Sequence, residues 1–413
     1  MTNLVRLTLP SMSASATAPI EVLRLPAGVH GSELVRDALT DILNGVTGPA
    51  VAFVADGDER AADTLAPDIA LEDPRTSLIL MTSGSTADPK GVCIGTENLL
   101  SAAIAVEQRH ADVKNAPRIL ALPVTSAAGC GVIVRALVSQ MPLVTLPSIG
   151  GAQRFTPALF AETVTPWIDQ APLVSLVPTQ LHALLADPVT RGIMPKLGRV
   201  FLGGAQAPDA LLADAYAAGV DVCLTYGMTE TCGGCVHDGV ALPGVEAGLD
   251  NDGIILLNGP MIALGYRRRP DRSRAAFTDA GFVTGDVGEI SHGKLRVLGR
   301  RDDMVQVRGT NVSLIAVETE LLSARQHSDI VHITADITEV AVVAIPDPVE
   351  GCKIIAVIVA DTELTEADFA HLRDLVRRRG GSAAVPRVFR QVPQLPMLAN
   401  GKIDRLAVHN IVG

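Results

Sequence analysis

Residues 81–91 read Met81-Thr82-Ser83-Gly84-Ser85-Thr86-Ala87-Asp88-Pro89-Lys90-Gly91 and follow directly on the apolar run Ser77-Leu78-Ile79-Leu80. Hydroxyl side chains around a glycine, closed by Pro-Lys-Gly, place backbone N–H groups, hydroxyl donors and one cation at the carboxyl end of a strand. A polyphosphate needs that combination. The stretch differs from the Walker loop, because Lys90 is followed by Gly91 and not by a Ser or Thr able to hold magnesium. The plain alternative is a polar surface turn, which seldom needs so many phosphate-type donors.

Outward from this loop, short apolar runs alternate with segments of helical period. The runs are Ala50–Val54, Leu78–Met81, Ile119–Leu122, Leu143–Leu146, Val174–Val177, Val200–Leu202 and Val222–Thr225; the helical segments include Glu97–Arg109, Gly131–Ser139, Pro157–Asp169 and Pro208–Ala218. Strands alternating with helices predict an α/β fold with mostly parallel sheets flanked by helices. From about residue 240 short β segments take over: Gly253–Leu257, Val287–Ile290 and Lys294–Leu298, the last two joined by Ser291-His292-Gly293. A small α+β stretch follows, with helices at Leu314–Ser323 and Glu366–Arg379 and strands at Val340–Ile345 and Cys352–Val359. The expected organisation is a large domain over 1–300 with a small β subdomain, a boundary at 301–304, and a small domain over 305–413.

Composition limits the function classes. The 413 residues carry a formal charge of −11 with 48% hydrophobic and 19% charged side chains, a globular balance whose acidic sign disfavours nucleic-acid backbones. No apolar run approaches the ~18 residues of a membrane span, and the amino terminus alternates apolar and polar, unlike a signal peptide. A cytoplasmic location is the expectation. Six scattered cysteines form no disulfide framework. Only six lysines stand against 28 arginines, so Lys90 and Lys402, both in glycine-containing loops, draw notice.

Four further segments carry chemistry. In Leu224-Thr225-Tyr226-Gly227-Met228-Thr229-Glu230-Thr231 an aromatic ring can stack on a base, Thr229 can donate to a phosphate and Glu230 offers a hard oxygen to Mg²⁺; Tyr226 could equally be ordinary core. In Thr284-Gly285-Asp286 a carboxylate can accept both hydroxyls of a ribose. Gly299-Arg300-Arg301-Asp302-Asp303 and Asn400-Gly401-Lys402-Ile403-Asp404-Arg405 complete the set.

In this order the five segments resemble the adenylate-forming superfamily of acyl-CoA ligases, peptide-synthetase adenylation domains and luciferases, over about residues 78–405. The resemblance implies that ATP is handled by Thr82, Ser83, Gly84, Ser85, Thr86 and Lys90, together with Gly204, Ala205, Tyr226, Gly227, Met228, Thr229, Asp286 and Arg300. It makes Glu230 the Mg²⁺ ligand, Asp302 the hinge about which a mobile small domain turns, and Lys402 the catalytic lysine of that domain, acting with Thr229, Glu230 and Lys90. The chemistry implied is adenylation of a carboxylate, with release of pyrophosphate, then transfer of the acyl group to the thiol of CoA.

With only 81 residues before Thr82, the shortened members compare best. The stretches Leu122-Pro123-Val124-Thr125-Ser126-Ala127-Ala128-Gly129 with Arg135, Ser175-Leu176-Val177-Pro178-Thr179-Gln180-Leu181, Leu202-Gly203-Gly204-Ala205 and Tyr226–Gly239 are similar to the 2-succinylbenzoate–CoA ligases of menaquinone biosynthesis, the actinobacterial ones in particular. The implied substrate is a dianion whose succinyl carboxylate is activated while the aromatic one is held. Ser126, Gly129, Arg135, Ser175, Thr179, Gln180 and Gly203 are the acyl-site candidates, and each could equally serve packing or a turn. Two alternatives stay open: a CoA ligase for another small aryl or acyl acid, and a stand-alone adenylation domain loading a carrier protein. The expected partners are a small acid, ATP and CoA, with no nucleic acid; a homodimer stays open.

The sequence departs from the resemblance at Thr125-Ser126, where relatives carry a histidine, at Ala87-Asp88, and at Gln306, a lysine in many relatives. Cys232-Gly233-Gly234-Cys235, flanked by Cys223 and His237, lacks a second Cys-x-x-Cys, so a zinc or redox role is disfavoured. Arg267-Arg268-Arg269 and Arg377-Arg378-Arg379 read as solvated basic faces in preference to CoA phosphate contacts.

Overall fold

A computed structural model describes residues 20–58, 60–82, 90–151, 153–301, 304–324, 333, 335–396 and 403–412. The chain divides into two compact units. One comprises Met1–Gly248, Leu256–Val283 and His292–Leu295, the other Leu249–Ile255, Thr284–Ser291 and Arg296–Gly413. Asp286 and Arg300, placed by the sequence in the large domain, thus group with the second unit.

The α/β expectation holds in the first unit. Every apolar run named up to residue 230 is a strand, and two sheets result. One orders Ile20–Leu25, Ala50–Ala55, Thr76–Thr82, Lys90–Gly95 and Gly265–Tyr266, its first three strands parallel and its last two antiparallel. The other has seven strands, in the order Val240–Ala241, Gly233–His237, Val222–Met228, Arg199–Leu202, Leu173–Leu176, Arg118–Leu120 and Leu143–Thr145. Its last five strands run parallel, and Gly233–His237 is antiparallel to Val222–Met228.

Parallel strands covered on both faces need apolar side chains at successive positions. Leu78, Ile79 and Leu80 are accordingly all buried. One core joins Leu78 and Leu80 of the first sheet, Ile119, Val174 and Val200 of the second, and Leu39, Ala103 and Ile133 from the helices Val29–Leu43, Thr96–Arg109 and Ala127–Ser139. The long segment expected over Pro157–Asp169 is an α-helix Pro157–Val164 continued by a 3₁₀ stretch Thr165–Gln170, because Pro166 at the junction cannot donate into the α ladder.

In the second unit, Ile337–Asp347 and Gly351–Ala360 form a long antiparallel pair, with Val388–Gln391 added in parallel. Alternate residues serve two cores: Val340 and Val342 face Leu321, Leu372 and Val376, whereas Ala341 and Val343 face Leu395 and Val408. Thr365 caps the helix Glu366–Gly380, exchanging bonds with Asp368. The expected hairpin turn is present, with His292 and Gly293 at φ 51° and 74°, the paired positive angles of a two-residue hairpin loop. Among the described residues, no helix is long and apolar enough to cross a membrane.

Candidate active site

The parallel strands Thr76–Thr82, Leu173–Leu176, Arg199–Leu202 and Val222–Met228 all deliver a candidate residue at or just past their carboxyl ends, where open α/β sheets bind ligands. Thr82 pairs in register with Lys90, and the Thr82 hydroxyl donates to the Lys90 carbonyl at 3.4 Å, so the phosphate-type loop is closed by a two-stranded stem. Ser83, Gly84, Ser85 and Thr86 lie outside the described residues, as do Asp302 and Lys402.

From the stem, Lys90 extends its ammonium over the ring of Tyr266, 4.8 Å from the centroid. The Tyr266 hydroxyl donates to Glu230 Oε1 at 2.8 Å. Glu230 sits in the 3₁₀ turn Thr229–Thr231 directly after its strand, and the turn is tied on itself: the Thr231 hydroxyl accepts from Met228 N–H at 2.9 Å and donates to the Gly233 carbonyl at 2.7 Å. Glu230 is buried, its carbonyl accepts from Ala263 N–H at 2.8 Å, and its Oε2 has no hydrogen-bond partner among the described residues. One carboxylate oxygen held and one open suits a hard divalent cation such as Mg²⁺.

Tyr226, half-buried, pairs with Val236, and Gly227 with Gly234. A side chain at Gly227 would come within 1.9 Å of the Gly233 carbonyl, so close backbone approach requires glycine there. Gly203 is held as tightly, since its Cβ would lie 2.3 Å from Thr225 Oγ1, and Gly204 adopts φ 81°. Ala205 is exposed beside them.

The acyl-site candidates separate into two groups. Arg135 and Ser175 converge, with Arg135 Nη2 3.3 Å from Ser175 Oγ and the guanidinium 5.8 Å from the ring centre of Phe201. Enclosure by protein pulls the guanidinium below its ordinary pKa, to about 10, with Glu107 opposing and Arg118 assisting. It stays charged at neutral pH, and no carboxylate pairs with it among the described residues. Gln180, Ser126 and Gly129 do structural work. Gln180 accepts from Val177 N–H at 3.1 Å and donates to the Ala121 carbonyl at 3.0 Å, which uses both ends of its amide. Ser126 caps the helix Ala127–Ser139 by accepting from Gly129 N–H, a bond whose loss typically costs about 1 kcal/mol. Gly129 is small because its Cβ would lie 2.1 Å from the Pro123 carbonyl. Thr179 is exposed on the first turn of the helix Pro178–Ala186.

In the second unit, Arg300 reaches the buried Asp286, Nη1 to Oδ1 at 3.4 Å, and lies across Gly285, where a Cβ would be 2.6 Å from Arg300 Nη2. The Asp286 backbone N–H donates to the Thr284 hydroxyl at 3.0 Å, which steadies the main chain there. Past the Lys402 segment, Arg405 grips Glu318 with both nitrogens, at 2.8 and 2.9 Å, and also reaches the Val342 carbonyl.

One sequence reading needs correction. Arg267 is fully buried and not part of a solvated face: four carbonyls, of Leu65, Ala66, Ile69 and Ala70, accept from its guanidinium, with Glu72 at 2.9 Å. Its backbone N–H donates to Gly91, so it anchors the stem of the phosphate-type loop. Cys232 and Cys235 are both buried; desolvation raises both thiols, that of Cys235 to about 12, so they stay protonated.

The sequence reading missed a buried network. Arg199 donates to His110 Nδ1 at 2.8 Å, which leaves the hydrogen of His110 on Nε2, 2.7 Å from His237 Nδ1, and His237 in turn bonds the Gly234 backbone. Cys223 Sγ lies within 4.8 Å of both rings, a metal-like trio. Its ring nitrogens are nevertheless committed to hydrogen bonds, and a cation there would face Arg199. Burial first, and neighbouring arginines second, lower His110 to about 4; burial and His110 lower His237 to about 3.

Comparison with known proteins gives the family. The "AMP-binding enzyme" model matches residues 33–266 and the "AMP-binding enzyme C-terminal domain" model residues 330–402. A probable 2-succinylbenzoate–CoA ligase of Mycobacterium tuberculosis is 31% identical over 395 residues, covering 94% of this chain and 97% of that one. The 2-succinylbenzoate–CoA ligase of Listeria monocytogenes is 28% identical over 389 residues, covering 90% and 77%. The solved O-succinylbenzoate coenzyme A synthetase of Bacillus subtilis, in complex with ATP and magnesium ion, superposes with a TM-score of 0.78 at 20% identity, over 94% of this chain and 89% of that one.

Proposed function

Since the chain belongs to the AMP-binding enzyme family, we propose that it is an ATP-dependent acid–thiol ligase that adenylates the succinyl carboxylate of 2-succinylbenzoate and passes the acyl group to CoA. AMP and pyrophosphate are the other products. The observation that carries the substrate reading is Arg135, a half-buried guanidinium beside Ser175 and Phe201 with which no carboxylate pairs among the described residues. A half-buried cation with no carboxylate paired to it among the described residues suits a substrate that brings a second carboxylate. The names of the relatives support the same reading.

Adenylation needs no enzymic nucleophile, because the substrate carboxylate attacks the α-phosphorus of ATP. The task is to align two anions and neutralise the charge that develops. In our reading Lys90 and the donors of 82–86 hold the β- and γ-phosphates. Tyr226 flanks the adenine, Gly204, Ala205, Gly227 and Met228 shape its surroundings, and Thr229 donates to the α-phosphate. Asp286, steadied by Arg300, accepts the ribose hydroxyls. Glu230 would hold Mg²⁺, which supplies charge neutralisation when bound. Lys402 bridges carboxylate and α-phosphate during adenylation, and turning about Asp302 withdraws it before the thiol attacks. The 301–304 segment is thus the hinge between the 1–300 and 305–413 domains, and a cytoplasmic location accompanies this reading.

The test is thioester formation with ATP, Mg²⁺ and CoA, comparing 2-succinylbenzoate with benzoate, acetate and medium-chain acids. Turnover confined to 2-succinylbenzoate supports the proposal; equal turnover of a monocarboxylate removes Arg135 from its role.

A further inference from the structure

Lys90 and Glu230 are opposite charges at one site, yet no direct ion pair joins them; the ring of Tyr266 stands between. Its face carries the Lys90 ammonium at 4.8 Å and its hydroxyl holds Glu230 Oε1 at 2.8 Å. Tyr266 is itself fixed. It is buried and meets the edge of Phe277 at 5.2 Å, and its strand pairs with Lys90–Gly95, Tyr266 opposite Val92. The next residue, Arg267, donates from its backbone to Gly91 and is locked by four carbonyls. The placement of the ring is therefore dictated by structure more than 190 residues away in the chain.

Physical chemistry gives the consequence. A lysine and a carboxylate on neighbouring elements would ordinarily collapse into an ion pair, which would take the cation from the phosphates and the oxygen from the metal. An aromatic ring with a polar tip satisfies both without quenching either: the face attracts the ammonium, and the hydroxyl occupies one carboxylate oxygen while leaving the other open.

From this geometry we infer that Tyr266 is a positioning residue that keeps Lys90 and Glu230 apart and aims Glu230 Oε2 at the divalent cation. The inference rests on the reading of Glu230 as the metal ligand. The Tyr266 hydroxyl then governs how strongly Mg²⁺ and ATP assist each other's binding, whereas the ring, which carries Lys90, also bears on metal-free ATP binding.

The experiment is ATP titration calorimetry on the full chain, with and without Mg²⁺. The quantity read is the factor by which Mg²⁺ tightens ATP binding. Tyr266→Phe keeps the ring and its packing and removes only the hydroxyl. Loss of a hydrogen bond to a charged group predicts a tightening factor reduced about tenfold, with the metal-free dissociation constant unchanged. Tyr266→Leu also removes the spacer, and a larger reduction is expected. An unchanged factor in Tyr266→Phe, an equal weakening with and without metal in Tyr266→Phe, or no difference between the Phe and Leu variants each overturns the inference. Glu230→Gln separates the two levels: if it abolishes the tightening while Tyr266→Phe does not, only the role of Tyr266 falls; if it too leaves the tightening intact, the metal reading of Glu230 falls with it.

Discussion

His110 Nε2 and His237 Nδ1 lie 2.7 Å apart, buried, with Arg199 donating to the far side of His110. The pair bonds only in the neutral form, and burial first and the surrounding charges second enforce that form: Arg199 and Arg109 face His110, with Asp112 and Asp238 only partly compensating, and His110, Arg135 and Arg109 act on His237.

The sign of the resulting pH dependence follows. Both folded pKa values, about 4 and about 3, lie below the ordinary 6.5. Below pH 6.5 the unfolded chain binds protons that the folded chain refuses, so stability is full above 6.5 and falls as pH drops toward 4. Urea unfolding at pH 7 and pH 4.5 should show a loss, with a share on the order of 5 kcal/mol for the two histidines together that disappears in His110→Gln/His237→Gln. An acid loss of the same size in the variant would assign it to the carboxylates elsewhere.

Arg135→Leu should raise KM for 2-succinylbenzoate roughly tenfold to a hundredfold, in line with the loss of a charge-assisted hydrogen bond, while KM for ATP holds. It should also erode discrimination against acids lacking the second carboxylate. Steady-state kinetics on paired acids reads both effects, and an undisturbed KM for the dianion would move its receptor to another residue.

Lys402→Ala should slow adenylation by orders of magnitude and leave thioester formation from supplied acyl adenylate nearly intact, because the lysine acts in the first step only. Rapid-quench measurement of each half-reaction distinguishes this from a general defect. Asp302→Pro should do the reverse, since proline fixes φ at the proposed hinge.

Glu318→Gln should weaken the hold on Arg405, which joins the helix Arg405–Val412 to the strand Ile337–Asp347 through Val342. Removing one partner of a partly buried pair costs about 1–3 kcal/mol. Adenylation should fall together with Tm, because Arg405 lies three residues after Lys402; a drop in Tm with adenylation untouched would confine the pair to stability.

Much of this molecule was legible in its sequence because its signals are local. Continuous apolar runs marked the buried parallel strands, whereas the resemblance gave Gly227 and Gly203 as nucleotide- and acyl-site residues and the structure adds that the chain comes close to its neighbours there. What escaped was decided at long range. Arg267-Arg268-Arg269 looks like a solvated cluster until the carbonyls of 65–70 are seen to converge on Arg267. Tyr266 had no local mark of its role, since its partners come from strand Lys90–Gly95 and from Glu230. The strand Lys90–Gly95 was itself overlooked because its first residues read as loop. Gln180 read equally as an acyl-site donor or a packing residue, and a local signal weighs toward the second: Pro178 at the first helical position and Gln180 at the third mark a capped helix start.

The most direct test of the central claim is exchange of labelled pyrophosphate into ATP. Adenylation of 2-succinylbenzoate predicts exchange that requires that acid and Mg²⁺ and proceeds without CoA. Exchange that ignores 2-succinylbenzoate, or that appears only when CoA is present, would contradict it.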